Sequence, residues 1–484
     1  MVLQRGRPIP IWGWSEPGTN VTVEFAGQRK SAVADEKGKW FLKLDPLPAS
    51  KRPRKLSVVG AQTLADPPHL ALHDVLVGEV WIAGGQSNMD FTLSKKVKYF
   101  AGVANEEEEI AAANYPLLRM FTAATPRTYT PQERVGGEWR VCTPETAPAF
   151  SAIGYFFARD LLREINVPIG IITLALGAST AESWIRRETL LGDPWLKIYV
   201  EHLDGKVKEF VPLTPEEEQQ WQAAAAKALA AGQRRPPRPR WDPTRDQHNA
   251  TVLYNGMIAP MIPYAIRGVI WYQGESIQGG EKGRRFYPRM QATLIRDWRL
   301  LWNLGDFPFY IVQLAGQECP SNSPLVREVQ ATVLALNNTG MVVTTDGGTA
   351  DNVHPRNQSE VGDRLARIAL ANVYGKKIEF SGPAYQTMKI EGNAIRLTFS
   401  HAGGGLVAKG GGPLNWFEIA GADEKFVAAE ATIEGETIVV RSAEVAAPVA
   451  ARYAWANFPQ GANLFNAAGL PAAQFRTDAP KYVL

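Results

Sequence analysis

Four short polar clusters hold the side chains of this chain that can do chemistry, and each follows an apolar run. Gly85-Gln86-Ser87-Asn88-Met89 follows residues 77–83, and Asp351-Asn352-Val353-His354-Pro355 follows 341–345. Trp271-Tyr272-Gln273-Gly274-Glu275 closes the run 267–272, and Leu176-Gly177-Ala178-Ser179 follows 169–174. A hydroxyl such as that of Ser87 is a poor nucleophile until a base removes its proton, and the neutral imidazole of His354 suits that task near neutral pH. The imidazolium then needs an acceptor to fix its tautomer. Asp351, three residues earlier, can bend back onto the ring, and Glu275 is a second carboxylate that competes for the same role. The Gln273 amide can donate to an oxyanion, and Gly177 lets a main-chain N–H approach a substrate closely. Singly, Ser87 reads as a turn residue and Asp351 as a cap. Jointly, a nucleophile, a base, carboxylates and donors meet the requirements of acyl transfer. Ser179 is the next hydroxyl to consider.

These clusters face one crevice only if the apolar runs are parallel strands. Runs at 77–83, 118–122, 169–174, 267–272, 309–314 and 341–345 alternate with amphipathic stretches at 153–165, 285–302, 324–336 and 360–373. Near-continuous apolar strands separated by helices predict an α/β fold with a doubly wound parallel sheet, whose ligands sit at the strands' carboxyl ends. Residues 1–72 instead alternate in short runs punctuated by Gly and Pro, which predicts a small β-sandwich. Residues 377–484 return to that grammar. Three regions follow: 1–72, a catalytic region 73–376, and 377–484. Within the second, 188–250 reads as an insertion that is helical in part, because Thr214 and Glu217 form a capping box, Pro215 takes the first helical position and Gly232 ends the helix. The basic stretch 233–240 reads as a solvated flap.

Composition sets outer limits. The 484 residues exceed what one core usually serves. A net charge of +3, from 52 basic and 49 acidic residues, gives no global pull toward nucleic acid or an anionic membrane. No apolar run is long enough for a membrane span, and the opening residues lack the apolar centre of a signal peptide. Cys142 and Cys319 belong to no metal-binding pattern. They read as two buried thiols, with one disulfide as the alternative. The 14 Trp are many for this length, and some are expected to offer flat faces to sugar rings.

GQSNM (85–89), WYQGES (271–276) and DNVHP (351–355), with Phe150-Ser151-Ala152-Ile153-Gly154-Tyr155-Phe156 and Leu253-Tyr254-Asn255-Gly256-Met257-Ile258, resemble the sialate O-acetylesterases and related carbohydrate acetylesterases of the SGNH-hydrolase superfamily. The matching stretches run nearly end to end. The resemblance implies a flavodoxin-like core and a metal-free, cofactor-free serine esterase acting on acetylated sugars, with a secreted or periplasmic location. Ser87 matches the nucleophile, His354 the base and Asp351 the orienting acid, with Glu275 used by some relatives instead. The implied oxyanion hole joins the Ser87 and Gly177 amides to Gln273. Gln86, Trp184, Tyr272 and Glu275 are the expected substrate contacts. Two departures stand out: the family often has Trp-Gly-Gly where this chain has Leu176-Gly177-Ala178, and Asn where it has Ile277. Both bear on the substrate, leaving sialate and xylan or other plant-glycan esters as alternatives. No cluster of Arg points plainly at a sialate carboxylate; Arg186 and Arg187 are nearest to a motif and read first as surface arginines. The rival of another class is a non-catalytic carbohydrate-binding protein.

Overall fold

The computed structural model describes residues 1–60, 69–98, 100–277, 280–318 and 324–478, with the backbone alone for 280–284. Its centre is a sheet whose strands run, in spatial order, Thr339–Val342, Phe309–Val312, Gly268–Tyr272, His69–Gly85, Ile169–Ala175, Tyr115–Ala123 and Gly137–Cys142. The first six are mutually parallel, and the last closes the edge as an antiparallel hairpin with Tyr115–Ala123. The fold is thus mixed α/β with a central mixed sheet and additional β-sheets. The Gly268–Tyr272 and Ile169–Ala175 strands flank His69–Gly85 and are buried along their whole length, because helices cover both faces.

The helix Ala152–Ile165 shows how the sequence sets these covers. Ser151 caps it by accepting from the Gly154 N–H at 3.2 Å, and Asn166 ends it in the left-handed conformation at φ +50°. Its Ile153, Phe156, Phe157 and Leu161 are buried on one face. It lies beside Gln358–Asn372, whose Gly362 has no room for a Cβ against Phe156.

The strand His69–Gly85 is unusually long because it serves two sheets. Its first half pairs with Ser50–Val59 and Val2–Gln4, and its second half enters the central sheet. One hydrophobic cluster accordingly runs from Val2 to Leu370 without a break at position 72. A second cluster spans Ile395 to Phe475, in a region of antiparallel sheets. The two meet at Arg327, a fully buried side chain that donates to Gln474 Oε1 at 2.5 Å and to the Asn457 carbonyl at 3.2 Å. Arg476 adds an ion pair to Glu328 at 2.7 Å.

Between 188 and 250 lie the helices Lys197–Glu209 and Pro215–Ala230. The capping box is present: Thr214 Oγ1 accepts from Glu217 N at 3.2 Å, and Glu217 Oε2 accepts from Thr214 N at 2.8 Å. The basic stretch after it docks back on this helix, Arg238 onto Glu218 at 2.5 Å and Arg240 onto Glu217. Those pairings hold one end of the stretch against the helix, while Arg234 and Arg235 remain exposed. Cys142 is a buried free thiol, its pKa pushed up to about 12 by burial. Cys319 lies outside the described residues. Among the described residues, no helix is long and apolar enough to cross a membrane.

Candidate active site

Ser87 opens the short helical turn Ser87–Asp90 directly after the strand His69–Gly85. The turn needs Gly85: it stands at φ +136°, and a Cβ there would come within 2.1 Å of the Tyr272 carbonyl. Main-chain bonds lock the neighbouring strand ends to this point. Gln86 N donates to Tyr272 O at 2.9 Å, and Leu176 N donates to Gly85 O at 3.1 Å. Three of the four polar clusters thereby meet at the carboxyl ends of three adjacent strands. A Cβ placed on Gly177 would sit 3.5 Å from that of Ser87, which measures how close the two residues are. Among the described residues, neither the Ser87 nor the Gly177 N–H donates to a main-chain oxygen.

Gln273 is buried beside them. Its Oε1 accepts from the Tyr287 hydroxyl at 2.9 Å, and its Nε2 donates to the Ser179 carbonyl at 3.3 Å. Gln330 holds the Gln273 carbonyl at 3.1 Å. The amide orientation is thus set from two sides, which leaves one Nε2 hydrogen uncommitted.

The fourth cluster arrives through Asn88. Its Nδ2 donates to Glu275 Oε1 at 2.6 Å and to the Val353 carbonyl at 3.0 Å, so the residue after Ser87 holds the residue before His354. The His354 loop is pinned further by Arg356, which donates to the Gly102 and Val103 carbonyls at 2.8 Å each. The Phe100 ring lies over the imidazole with centroids 4.8 Å apart. Burial lowers the His354 pKa below its ordinary 6.5 and keeps the ring neutral. Its Nε2 is buried without a hydrogen-bond partner.

The two carboxylates differ sharply. Asp351 is exposed and, among the described residues, makes no ion pair with the His354 ring, so the expected bend onto the imidazole is not formed in this structure. Glu275 is buried. Desolvation raises its pKa to about 7, against smaller opposing contributions from Asn88 and main-chain donors, and its Oε2 has no partner.

The expected sugar contacts need correction. Trp184 is fully buried, donates to Ser179 Oγ at 3.1 Å and meets Trp271 edge-on, so it is no sugar platform. That bond also occupies Ser179. Trp271 and Tyr272 are inside the sheet's core for the same reason: their strand is covered on both faces. Gln86 is buried and its Oε1 accepts from Gly274 N at 3.4 Å, which makes it a tie between two turns. Glu275 keeps 8% exposure, close to the 9% of Ser87. Arg186 is taken by Asp297 at 2.7 Å and Arg187 by Asp204 at 2.8 Å. Sequence reasoning missed the contacts of Asn88, Phe100 and Tyr287. Asn88 stood inside a quoted motif, while the other two carried no local signal. Among the described residues no three of His, Cys, Asp and Glu converge on a metal position.

One departure from the resembled pattern acquires a physical meaning. Ala178 stands at φ +58°, where a side chain is strained and the glycine often found in the family would not be.

Comparison with known proteins identifies the class. A crystal structure of a carbohydrate acetylesterase from Xanthomonas citri superposes with a TM-score of 0.81 at 36% identity, covering 99% of this chain and 97% of that one. The chain is a carbohydrate O-acetylesterase, a carboxylic-ester hydrolase. The family model described as carbohydrate esterase, sialic acid-specific acetylesterase matches residues 238–371. Sialate O-acetylesterase of Mus musculus is 28% identical over 98% of this chain and 92% of its own length, and that of Homo sapiens 27% over 81% and 72%. The chain belongs to this carbohydrate acetylesterase family.

Proposed function

We propose that the chain hydrolyses acetyl esters of sugar hydroxyls through a serine acyl-enzyme in which Ser87 is the nucleophile and His354 the base. The observation that carries this is the Asn88 bridge to the Val353 carbonyl, which ties the Ser87 turn to the His354 loop across 265 residues. Ser87 Oγ attacks the acetyl carbonyl while His354 Nε2 takes its proton. The Ser87 and Gly177 amides and Gln273 Nε2 receive the tetrahedral oxyanion; one such donor typically contributes about 10²–10³ in kcat. His354 then protonates the sugar alkoxide, and water deprotonated by the same ring releases acetate and restores Ser87.

Asp351 is assigned as the orienting acid on its motif, through movement of its exposed loop onto the ring. Glu275 is the second reading, favoured by its bond to Asn88 and its unpartnered oxygen. We further read the core as the flavodoxin-like sheet of SGNH hydrolases: without the Tyr115–Ala123 and Gly137–Cys142 hairpin, the parallel strands follow the order 2-1-3-4-5. The parts 1–72, 73–376 (with the 188–250 insertion) and 377–484 are proposed as the chain's three regions, the first two sharing the strand His69–Gly85 and one hydrophobic cluster. The substrate is an acetylated carbohydrate.

The test is Ser87→Ala. Acetate release from p-nitrophenyl acetate and from acetylated sialic acids, xylo-oligosaccharides and mannans should fall by at least about 10³-fold, with an unchanged circular dichroism spectrum. Wild-type turnover in this variant would remove Ser87 from the mechanism.

A further inference from the structure

A cavity of about 320 Å³ opens directly beside Gln273, within the size range of small-ligand sites. Thr180, Glu182, Tyr199, Phe286 and Tyr287 line it together with Gln273. One end is Gln273, whose amide the proposed mechanism uses at the oxyanion, so the cavity adjoins one member of the proposed reaction centre. Its walls combine aromatic faces with hydroxyls, which suits a sugar ring. No Lys or Arg is among its described lining residues. The nearest cations of the same segment, Arg186 and Arg187, are held by Asp297 and Asp204. Glu182 is the single carboxyl among those lining residues, and none of the described ion pairs involves it.

We propose that Glu182 is a specificity-determining residue that selects uncharged sugars, its carboxyl hydrogen-bonding sugar hydroxyls in this cavity and repelling substrates that carry a carboxylate. The inference rests on the esterase reading above and adds the charge of the substrate to it. A carboxyl pairs well with a diol whether it accepts or donates. A second carboxylate brought into a poorly hydrated cavity costs affinity unless one of the two takes up a proton. The groups facing Glu182 leave it free to do so. They are the phenols of Tyr199 and Tyr287, the Thr180 hydroxyl, and His248 across the loop, whose Nδ1 is 2.6 Å from Asp246 Oδ1. Burial, the largest cause, holds the Glu182 pKa up at about 7 despite opposing contributions from its own main chain, Thr180 and His248. Discrimination between neutral and anionic sugars therefore strengthens as pH rises through that value.

The experiment compares kcat/KM for an O-acetylated methyl pyranoside and an O-acetylated sialic acid at pH 5.5 and 8, in the wild type and in Glu182→Gln. The wild type should prefer the neutral sugar, and the preference should grow by at least about tenfold from pH 5.5 to 8. Glu182→Gln should flatten that pH dependence by raising turnover of the anionic sugar at pH 8. An unchanged ratio in Glu182→Gln, or a wild type that prefers the sialic acid at pH 8, overturns the proposal. Hydrolysis of p-nitrophenyl acetate, which carries no sugar, reports on the reaction centre separately. Its absence in the wild type would strike the esterase reading, whereas its presence with an unchanged sugar ratio strikes Glu182 alone. Glu182→Asp, which keeps the charge, should retain the pH-dependent preference and guards against a ratio altered merely by repacking.

Discussion

Glu275→Gln separates what the buried carboxyl costs the fold from what it gives the reaction. Burial raises this group from 4.5 to about 7, so the folded state holds its proton more tightly than the unfolded state does. The sign follows. Between those pH values the folded protein binds the extra proton, so its stability falls as pH rises across the window, and above pH 7 the whole penalty is present. At about 1.4 kcal/mol per pH unit that penalty is about 3 kcal/mol. Glutamine keeps an acceptor for Asn88 Nδ2 and carries no charge. The variant should therefore melt higher than wild type at pH 8, by about 5 °C for the transition of the central region, and equally with it at pH 4.5. Scanning calorimetry at the two pH values is the assay. An equal gain at both, or no gain at pH 8, refutes the burial argument. The kinetics of the same protein decide the acid. If Asp351 orients His354, Glu275→Gln retains most of kcat and Asp351→Asn loses about 10⁴-fold; the reverse pattern assigns the role to Glu275.

Three further outcomes follow from the same geometry. Gln273→Ala should lower kcat by about 10²–10³ with little change in KM, and Tyr287→Phe, which frees the amide to rotate, should cost less; single-turnover acetate release measures both. Ala178→Gly should raise stability by about 0.5–1 kcal/mol, because relief at φ +58° exceeds glycine's added chain entropy, and a lower urea midpoint would contradict it. In the kcat/KM profile of Glu275→Gln with p-nitrophenyl acetate, the acid limb should lie below pH 6.5 while His354 keeps its buried, unpaired setting, since burial keeps the base neutral to lower pH; a midpoint above 6.5 would mean that the Asp351 carboxylate has moved onto the ring.

The parallel strands were legible because each is a run of apolar residues ended by a glycine or a polar cluster, and periodicity reports burial on both faces. The antiparallel Gly137–Cys142 edge was not legible. Its residues are half exposed and its pairing with Tyr115–Ala123 is set by long-range register, which no local pattern encodes. The continuity of the first sheet into the central one was hidden for a related reason. His69–Gly85 changes from half-exposed to fully buried partway along, and that change reads in sequence as a boundary when it is one strand crossing from an open sheet into a covered one.

For the site, residue type announced the chemistry and failed to announce exposure. Trp184 and Tyr272 were expected to offer faces to sugar because aromatic residues near a catalytic motif commonly do. Trp184 is buried instead against Trp271, Tyr272 lies in a strand buried along its whole length, and the polar tip of Trp184 is satisfied inside by Ser179. The cavity that does open beside Gln273 is lined from other segments, by Glu182 and Tyr199 ahead of it and Phe286 and Tyr287 behind. None lies in a motif, because a recognition pocket needs shape and charge in space and imposes no spacing along the chain. Acyl transfer, by contrast, needs fixed groups at fixed strand ends, and strand ends are positions a sequence can mark. That asymmetry is why catalytic roles for Ser87, His354 and Gln273 could be proposed from sequence while the sugar's charge became arguable only once the pairings of Arg186 and Arg187 were on view.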